Sequence, residues 1–244
     1  MSGHSKWKNI MHKKEKTDAQ RAKVFTKVGK EISVAVREGG PDPVSNTKLR
    51  DLIQKAKSLN VPNDNIDRII KKAAGGDGES YEVIIYEGYG PSGVAVIVET
   101  TTDNRNRTGS EVRHFFDKFG GNLGTTGCVS FMFEDKGVIV VDAETADEDQ
   151  LMEDALESGA SDFVTEGGVF EIYTEKEDFE AVKEALETKK YEFVSAEIDK
   201  VPSTYVDLGE EDTIKMQRLL DNLEDNDDVV NVWHNWNMPE EDEE

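Results

Sequence analysis

Residues 3–17, GHSKWKNIMHKKEKT, hold five lysines and one tryptophan against a single acid, Glu15. Lysine side chains neutralise phosphates, and the indole ring of a tryptophan can stack on a nucleic-acid base. Packing of the tryptophan within the protein is the alternative to stacking. We predict that this basic arm contacts nucleic acid through the following residues: Lys6, Trp7, Lys8, Lys13, Lys14 and Lys16.

The stretch TTDNRNRTGSE, residues 101–111, brings two arginines to the start of a predicted helix. The helix dipole is positive at its N-terminus, which is the unfavourable end for cations. Arg105 and Arg107 should therefore have a compensating partner. This is either an anionic ligand held by guanidinium groups and free helical amides, or a salt bridge to Asp103 or Glu111.

Motifs for catalysis are missing, since the sequence contains no GxSxG, HExxH, GxxxxGK[ST] or CxxC. The four histidines lie on different predicted elements, which disfavours a metal site. GYGPSG at 88–93 lacks a lysine and leads into a strand, so we interpret it as a turn and not as a phosphate loop. We expect no enzymatic activity, no catalytic residue, no metal and no cofactor.

The charge distribution changes sign at one place, near GGDG at 75–78. Residues 1–78 hold 17 basic and 9 acidic residues, a net charge of +8, whereas residues 79–244 hold 12 and 43, a net charge of −31. Solvated helix faces are the plain explanation of a basic segment. The contrast with the acidic remainder instead indicates a basic binding module joined to an acidic body.

The length of 244 residues and an apolar fraction of 36% favour two or three small domains. The single cysteine, Cys128, excludes an intramolecular disulfide, and the first thirty residues lack the apolar core of a signal peptide. The longest apolar stretches are far shorter than the roughly twenty residues of a membrane-spanning helix. We expect a cytoplasmic protein with no membrane partner.

Apolar residues at three-and-four spacing predict three helices before Gly75. The first runs from Thr17 to Arg37, the second covers 49–59 and the third begins after Pro62. Such short helices must pack their apolar stripes together. This packing leaves further predicted phosphate contacts facing outward: Arg21, Lys23 and Lys27.

The pattern becomes strand-like after residue 78, with a hairpin over 81–101, a helix, and a strand CVSFMF at 128–133. Residues 138–200 show the β-α-β-β-α-β order of a ferredoxin-like domain. A helix and a strand within 203–238 complete a second set. We predict an α+β fold with a three-helix domain at 1–78 and two ferredoxin-like α/β domains. One of these, 136–202, is inserted into the other, 79–135 plus 203–238, and 239–244 form an acidic tail.

Seven segments match the signatures of a known family: GHSKW at 3–7, KVFTK at 23–27, REGGPDP at 37–43, VPNDNIDR at 61–68, YEGYGPSGVAVIVE at 86–99, TDNRNRT at 102–108 and GGNLG at 120–124. On these segments, the chain resembles the YebC/PmpR family over nearly its whole length. The resemblance implies an N-terminal helical domain followed by two α/β domains, one interrupting the other. It also favours a functional role for Arg105 and Arg107, because both fall inside a signature.

The resemblance implies a cytoplasmic, non-enzymatic regulator, which in most members is a DNA-binding regulator of transcription. Mitochondrial relatives activate translation of a cytochrome oxidase subunit, so a translation factor that binds ribosomal RNA or tRNA on the ribosome is the first alternative. A scaffold whose acidic body binds protein partners is the second. One departure is Gln20-Arg21-Ala22, where many members have Lys-Arg-Gly, so Gln20 is not assigned a phosphate contact.

Overall fold

The structure is a computed structural model that describes residues 18–76 and 80–239, with side chains from residue 22 onward. The predicted boundary at 78/79 and most of the predicted acidic tail lie outside these ranges. Within them, no helix is both long and apolar enough to cross a bilayer. Residues 133–203 form one compact unit, and the other described residues form a second. The division into three domains stays a prediction.

The described residues contain seven α-helices and eight strands, so the predicted α+β class is confirmed. The helices are α1 Asp18–Gly39, α2 Thr47–Ser58, α3 Asn63–Ala74, α4 Arg105–Lys118, α5 Glu148–Glu157, α6 Phe179–Thr188 and α7 Glu210–Asp225. The strands are β1 Glu82–Tyr89, β2 Ala95–Thr102, β3 Asn122–Leu123, β4 Phe133–Asp142, β5 Asp162–Glu166, β6 Val169–Glu175, β7 Ser195–Pro202 and β8 Val229–His234.

Helices α1, α2 and α3 pack around one apolar core, as the spacing of the apolar residues predicts. Ile32, Leu49 and Ile66 contribute buried side chains from the three helices in turn. The buried Asn46 fixes the corner between α1 and α2, because its side chain accepts from the amide of Leu49 and also donates to carbonyls at the end of α1. This arrangement turns the chain sharply between two helices.

The first sheet is antiparallel, with the strand order β3-β1-β2-β8. A short turn at Pro91–Gly93 joins β1 to β2, which confirms the predicted hairpin. Val96 of β2, Phe116 of α4 and Leu219 of α7 share one core, so both helices cover the same face. Because both helices pack on this sheet, the sheet positions the first turn of α4 and the last turn of α7.

The predicted strand CVSFMF at 128–133 is wrong. Ser130–Met132 form a single 3₁₀ turn, and β4 begins only at Phe133. The cause lies 40 residues upstream, in the buried carboxylate of Glu87, which accepts from the amides of Gly127, Val129 and Ser130. These amides converge on one side chain and are therefore lost to a strand ladder.

Residues 133–203 form the second sheet, with the order β5-β6-β4-β7 and all pairs antiparallel. Strands and helices alternate as β4-α5-β5-β6-α6-β7, which confirms the predicted β-α-β-β-α-β order. Leu151 of α5 and Leu186 of α6 are fully buried against Ile139 and Ile172 of the sheet.

Candidate nucleic-acid interface

The predicted contacts in the basic arm lie outside the described residues: Lys6, Trp7, Lys8, Lys13, Lys14 and Lys16. The side chain of Arg21 lies outside them as well. The structure therefore describes four of the predicted contact side chains, Lys23, Lys27, Arg105 and Arg107, and it gives these four different surroundings.

Lys23 and Lys27 lie one turn apart on α1, and both point at the C-terminal end of α7. The Nζ of Lys23 donates to the carboxylate of Asp225 at 2.5 Å and to its carbonyl at 3.2 Å, and the Nζ of Lys27 donates to the carbonyl of Glu224 at 2.6 Å. The last carbonyls of a helix lack partners within the helix and carry a partial negative charge. Both lysines therefore cap α7.

Contact with α7 changes the protonation of these two lysines in opposite directions. Removal from solvent lowers the pKa of Lys27 to about 8, although the carboxylates of Glu224 and Asp227 partly oppose this. The hydrogen bond to Asp225 raises the pKa of Lys23. Lys23 is therefore fully charged at neutral pH, whereas Lys27 is the more easily deprotonated of the two.

The buried carboxylate of Asp228 receives four side-chain hydrogen bonds. Lys30 donates to Oδ1 at 2.7 Å, and Oδ2 accepts from Arg107 at 2.6 Å, Thr108 at 2.7 Å and Thr102 at 3.1 Å. Burial alone would raise the pKa of Asp228. The hydrogen bonds from Arg107, Lys30 and Thr108 outweigh burial and lower it to about 2. Asp228 is therefore an ionised structural centre that joins α1, β2 and α4 to the chain after α7.

Arg107 has the salt-bridge partner that the sequence offered as one alternative. Its guanidinium lies 2.8 Å from Asp103, and its second partner, Asp228, is remote in sequence. Hydrogen bonds to Asp228 and then to Asp103 raise the pKa of Arg107. Glu111, the other local candidate, accepts instead from Asn226 at 2.7 Å. These contacts explain a cation near the start of α4 without any ligand.

The cleft beside Asp228 has a volume of about 850 Å³. Three cations line it, together with six carboxylates: Asp103, Glu111, Asp221, Asp225, Asp227 and Asp228. The three cations, Lys23, Lys30 and Arg107, all form salt bridges with carboxylates of this set. A polyanion would meet excess negative charge here, so this cleft does not resemble a phosphate-binding site.

Arg105 differs from Arg107 because its side chain is 70% exposed and its nearest carboxylate, that of Glu82, is 3.8 Å away. An exposed pair at this distance contributes little. Arg105 lies beside a second groove, of about 550 Å³, together with Arg113 and His114. Sequence reasoning missed Arg113, although its spacing of eight residues from Arg105 places both on one face of a helix.

Helix α3 carries a basic face that sequence reasoning also missed. Arg68, Lys71 and Lys72 are exposed and follow one another at i, i+3 and i+4, so they are neighbours on the helix surface. No carboxylate of the described residues forms a salt bridge with them. The same spacing could have identified this face from the sequence.

The described part of the chain shows neither a cluster of metal ligands nor a thiol with a lowered pKa. No set of three or more histidine, cysteine, aspartate or glutamate side chains there could hold a metal ion. Burial raises the pKa of the Cys128 thiol, with a smaller contribution from the charge of Glu87. Cys128 is therefore protonated at neutral pH and a poor nucleophile.

A three-helix unit followed by two antiparallel sheets, with exposed basic faces on α3 and α4, defines an α+β protein. Residues 5–76 match the TACO1/YebC protein N-terminal domain, and residues 81–236 match the TACO1/YebC second and third domain. The chain belongs to the TACO1/YebC family.

Similar proteins agree with this assignment. A "probable transcriptional regulatory protein" of Acetivibrio thermocellus is 61% identical over 239 residues, which cover 97% of this chain and 99% of the relative. A protein of the same name from Caldicellulosiruptor bescii is 60% identical over 246 residues and covers 100% of both chains. The crystal structure of a conserved hypothetical protein from Aquifex aeolicus is 50% identical, with a TM-score of 0.89 over 98% of this chain and 99% of that one.

Proposed function

We propose that this protein is a cytoplasmic, DNA-binding regulator of transcription without catalytic activity of its own. One observation carries the proposal: the net charge is +8 before residue 79 and −31 after it. Neutralisation of phosphates by lysine and arginine supplies most of the affinity of a protein for DNA. The names of the bacterial relatives, which are probable transcriptional regulatory proteins, support the choice of DNA and of transcription.

The basic arm is the principal contact in this proposal. Its five lysines each neutralise a phosphate, and Trp7 stacks on an exposed base or packs against the sugar. Arg21 and the exposed basic face of α3 supply further phosphate contacts. Contacts of this kind fix the position of the protein on the duplex without reading its sequence.

Lys23 and Lys27 have a secondary part in DNA binding. Both already donate to the end of α7, so contact with a phosphate requires exchange of one hydrogen-bond acceptor for another. The acidic remainder of the chain, which carries the excess negative charge, is available to protein partners.

The salt dependence of DNA binding tests the proposal. Fluorescence anisotropy of a labelled duplex between about 50 and 200 mM KCl should give a slope of log K against log salt of about −4 or steeper, because the five lysines of the arm alone account for about −4. The triple variant K13E/K14E/K16E should lose most of this affinity, whereas K13R/K14R/K16R, which keeps the charge, should bind as the wild type does.

Two outcomes overturn the proposal. One is an affinity that does not change with salt. The other is a triple glutamate variant that is folded by circular dichroism and binds DNA as tightly as the triple arginine variant. Tight binding to ribosomal RNA together with weak binding to DNA would favour the translation factor instead.

A further inference from the structure

The groove along α4 combines two arginines with a glycine and a tyrosine. Arg105, Gly109, Ser110 and Arg113 line it from the helix, and Tyr86 lines it from β1. Asp117 is the one carboxylate that lines it. Basic groups therefore dominate this groove, in contrast to the acidic cleft beside Asp228.

We propose that this groove is a second phosphate-binding site, in which Arg105 and Arg113 hold the backbone of a nucleic acid. The inference rests on the proposed function and adds a surface in the acidic half of the chain to the basic arm. A spacing of eight residues separates the two arginines by about 12 Å along the helix. Long, exposed side chains at this separation can reach two phosphates of one strand.

The available charge of the two arginines supports this assignment. Arg105 has only the weak contact with Glu82, and Arg113 forms no salt bridge within the ranges that the structure describes. Arg107, on the opposite side of α4, has both of its carboxylates at 2.8 Å or less. Helix α4 thus carries Arg107, which stabilises the fold through its salt bridges, and Arg105 and Arg113, whose guanidinium groups remain available to a ligand.

Gly109 keeps the groove open. It lies one turn from each arginine, and a Cβ atom at this position would lie 3.2 Å from the phenol oxygen of Tyr86. A larger side chain would therefore cover the phenol. Burial raises the pKa of Tyr86, so its hydroxyl remains a hydrogen-bond donor in the groove.

The donors of the groove suit a phosphate group. Guanidinium groups bind phosphate oxygens through paired hydrogen bonds, and the phenol of Tyr86 supplies a further donor. Helix α4 holds four of the twelve basic residues that follow residue 78, against two acids. A polyanion that approaches this acidic half of the chain is therefore attracted to α4.

Substitution of both arginines tests the site. R105A/R113A should reduce the magnitude of the slope of log K against log salt by about 2 on duplex and by about 1.4 on single-stranded oligonucleotides, for the loss of two phosphate contacts. R218A is the matched control, because Arg218 is an exposed arginine of helix α7 that lies outside the groove. The control should keep the wild-type slope, and circular dichroism should show all variants folded.

A negative charge introduced into the groove provides a second test, in which both arginines are kept. Ser110 is exposed, and its hydroxyl bonds only to the carbonyl of Asn106. S110E should weaken oligonucleotide binding several-fold, whereas T188E should leave it unchanged. Thr188 is a matched control, since it is also exposed and bonds to the carbonyl four residues before it.

The outcomes separate this site from the proposed function. If the wild type binds and R105A/R113A keeps its slope, the groove proposal is overturned and the DNA-binding function stands. If R218A lowers the slope equally, general electrostatics explain the effect and the groove proposal is also overturned. If the wild type binds no oligonucleotide, both fail. Polyglutamate that displaces oligonucleotide from the wild type but not from R105A/R113A would show an acidic-peptide site, which contradicts the choice of phosphate.

Discussion

The Nζ of Lys30 on α1 lies 2.7 Å from the carboxylate of Asp228, the residue that precedes β8. The side chains are 12% and 4% exposed, respectively, so solvent screens this pair little. Two elements at opposite ends of the described chain are thereby connected through an ion pair. The same carboxylate accepts from Arg107 on α4, so one acid fixes three segments of the fold.

We expect that D228N destabilises the protein by about 3 kcal/mol. The substitution leaves Lys30 and Arg107 without a buried anionic partner, and the cost of breaking such a buried pair exceeds that of losing a surface pair. Urea unfolding monitored by circular dichroism measures the change. D225N is the matched control, because the side chain of Asp225 is 73% exposed and should cost less than about 1 kcal/mol. Equal effects of the two variants would contradict the structural role of Asp228.

We expect acid to remove the contribution of Asp228 to the free energy of unfolding between about pH 4 and pH 2. Its pKa is lowered from 3.8 to about 2, so the folded state is stabilised in full above about pH 4 and loses this stabilisation as the pH falls towards 2. The amount corresponds to about 2 kcal/mol. Unfolding of wild type and D228N at several pH values measures it as a difference that shrinks across this window. A constant difference would show that Asp228 has an ordinary pKa.

The sequence predicts the elements of the fold well, because the spacing of apolar residues is a local property. The helices α1, α2 and α3 and the β-α-β-β-α-β order of residues 133–203 follow from it. The contacts of individual side chains are much harder to predict from the sequence. Glu87 determines the turn at Ser130–Met132 from 43 residues away, and no local pattern indicates this contact.

The sequence indicates that the C-terminal end of α7 needs a cationic partner, although it does not identify Lys23 and Lys27 as that partner. Helix α7 ends with Glu224 and Asp225 and has no basic residue in its last turn, which is unfavourable at the negative end of a helix dipole. Some cation from elsewhere should compensate this end. Only the fold identifies the cations as lysines of α1, about two hundred residues earlier in the chain.

Alkaline conditions should stabilise the wild type relative to K27M. The pKa of Lys27 is lowered to about 8 from 10.5, so between these values the unfolded chain binds the additional proton. The free energy of unfolding therefore rises with pH between about 8 and 10.5. Below about pH 8, Lys27 is charged in the folded state, and the cost of burying this charge is present in full. Urea unfolding of the two proteins from pH 7 to pH 10 measures the difference. A titration of the Lys27 side chain by NMR with a midpoint near 10.5 would contradict the prediction.

E87Q should loosen the loop that leads into β4. Glu87 is 4% exposed, and its two carboxylate oxygens accept from three amides, those of Gly127, Val129 and Ser130. Burial would raise its pKa, but these hydrogen bonds lower it, so the side chain is ionised in the fold. Glutamine has one acceptor oxygen, which leaves at least one buried amide without a partner at a cost of about 2 kcal/mol.

Hydrogen exchange measures this effect amide by amide. The three amides of the loop should exchange faster in E87Q, while the strand amides of β6 should keep their protection. Glu82 lies in the same strand as Glu87 with its side chain 51% exposed, so E82Q is the matched control and should change neither set. Unchanged exchange at Gly127 and Val129 in E87Q would mean that backbone packing alone holds the turn, without the carboxylate.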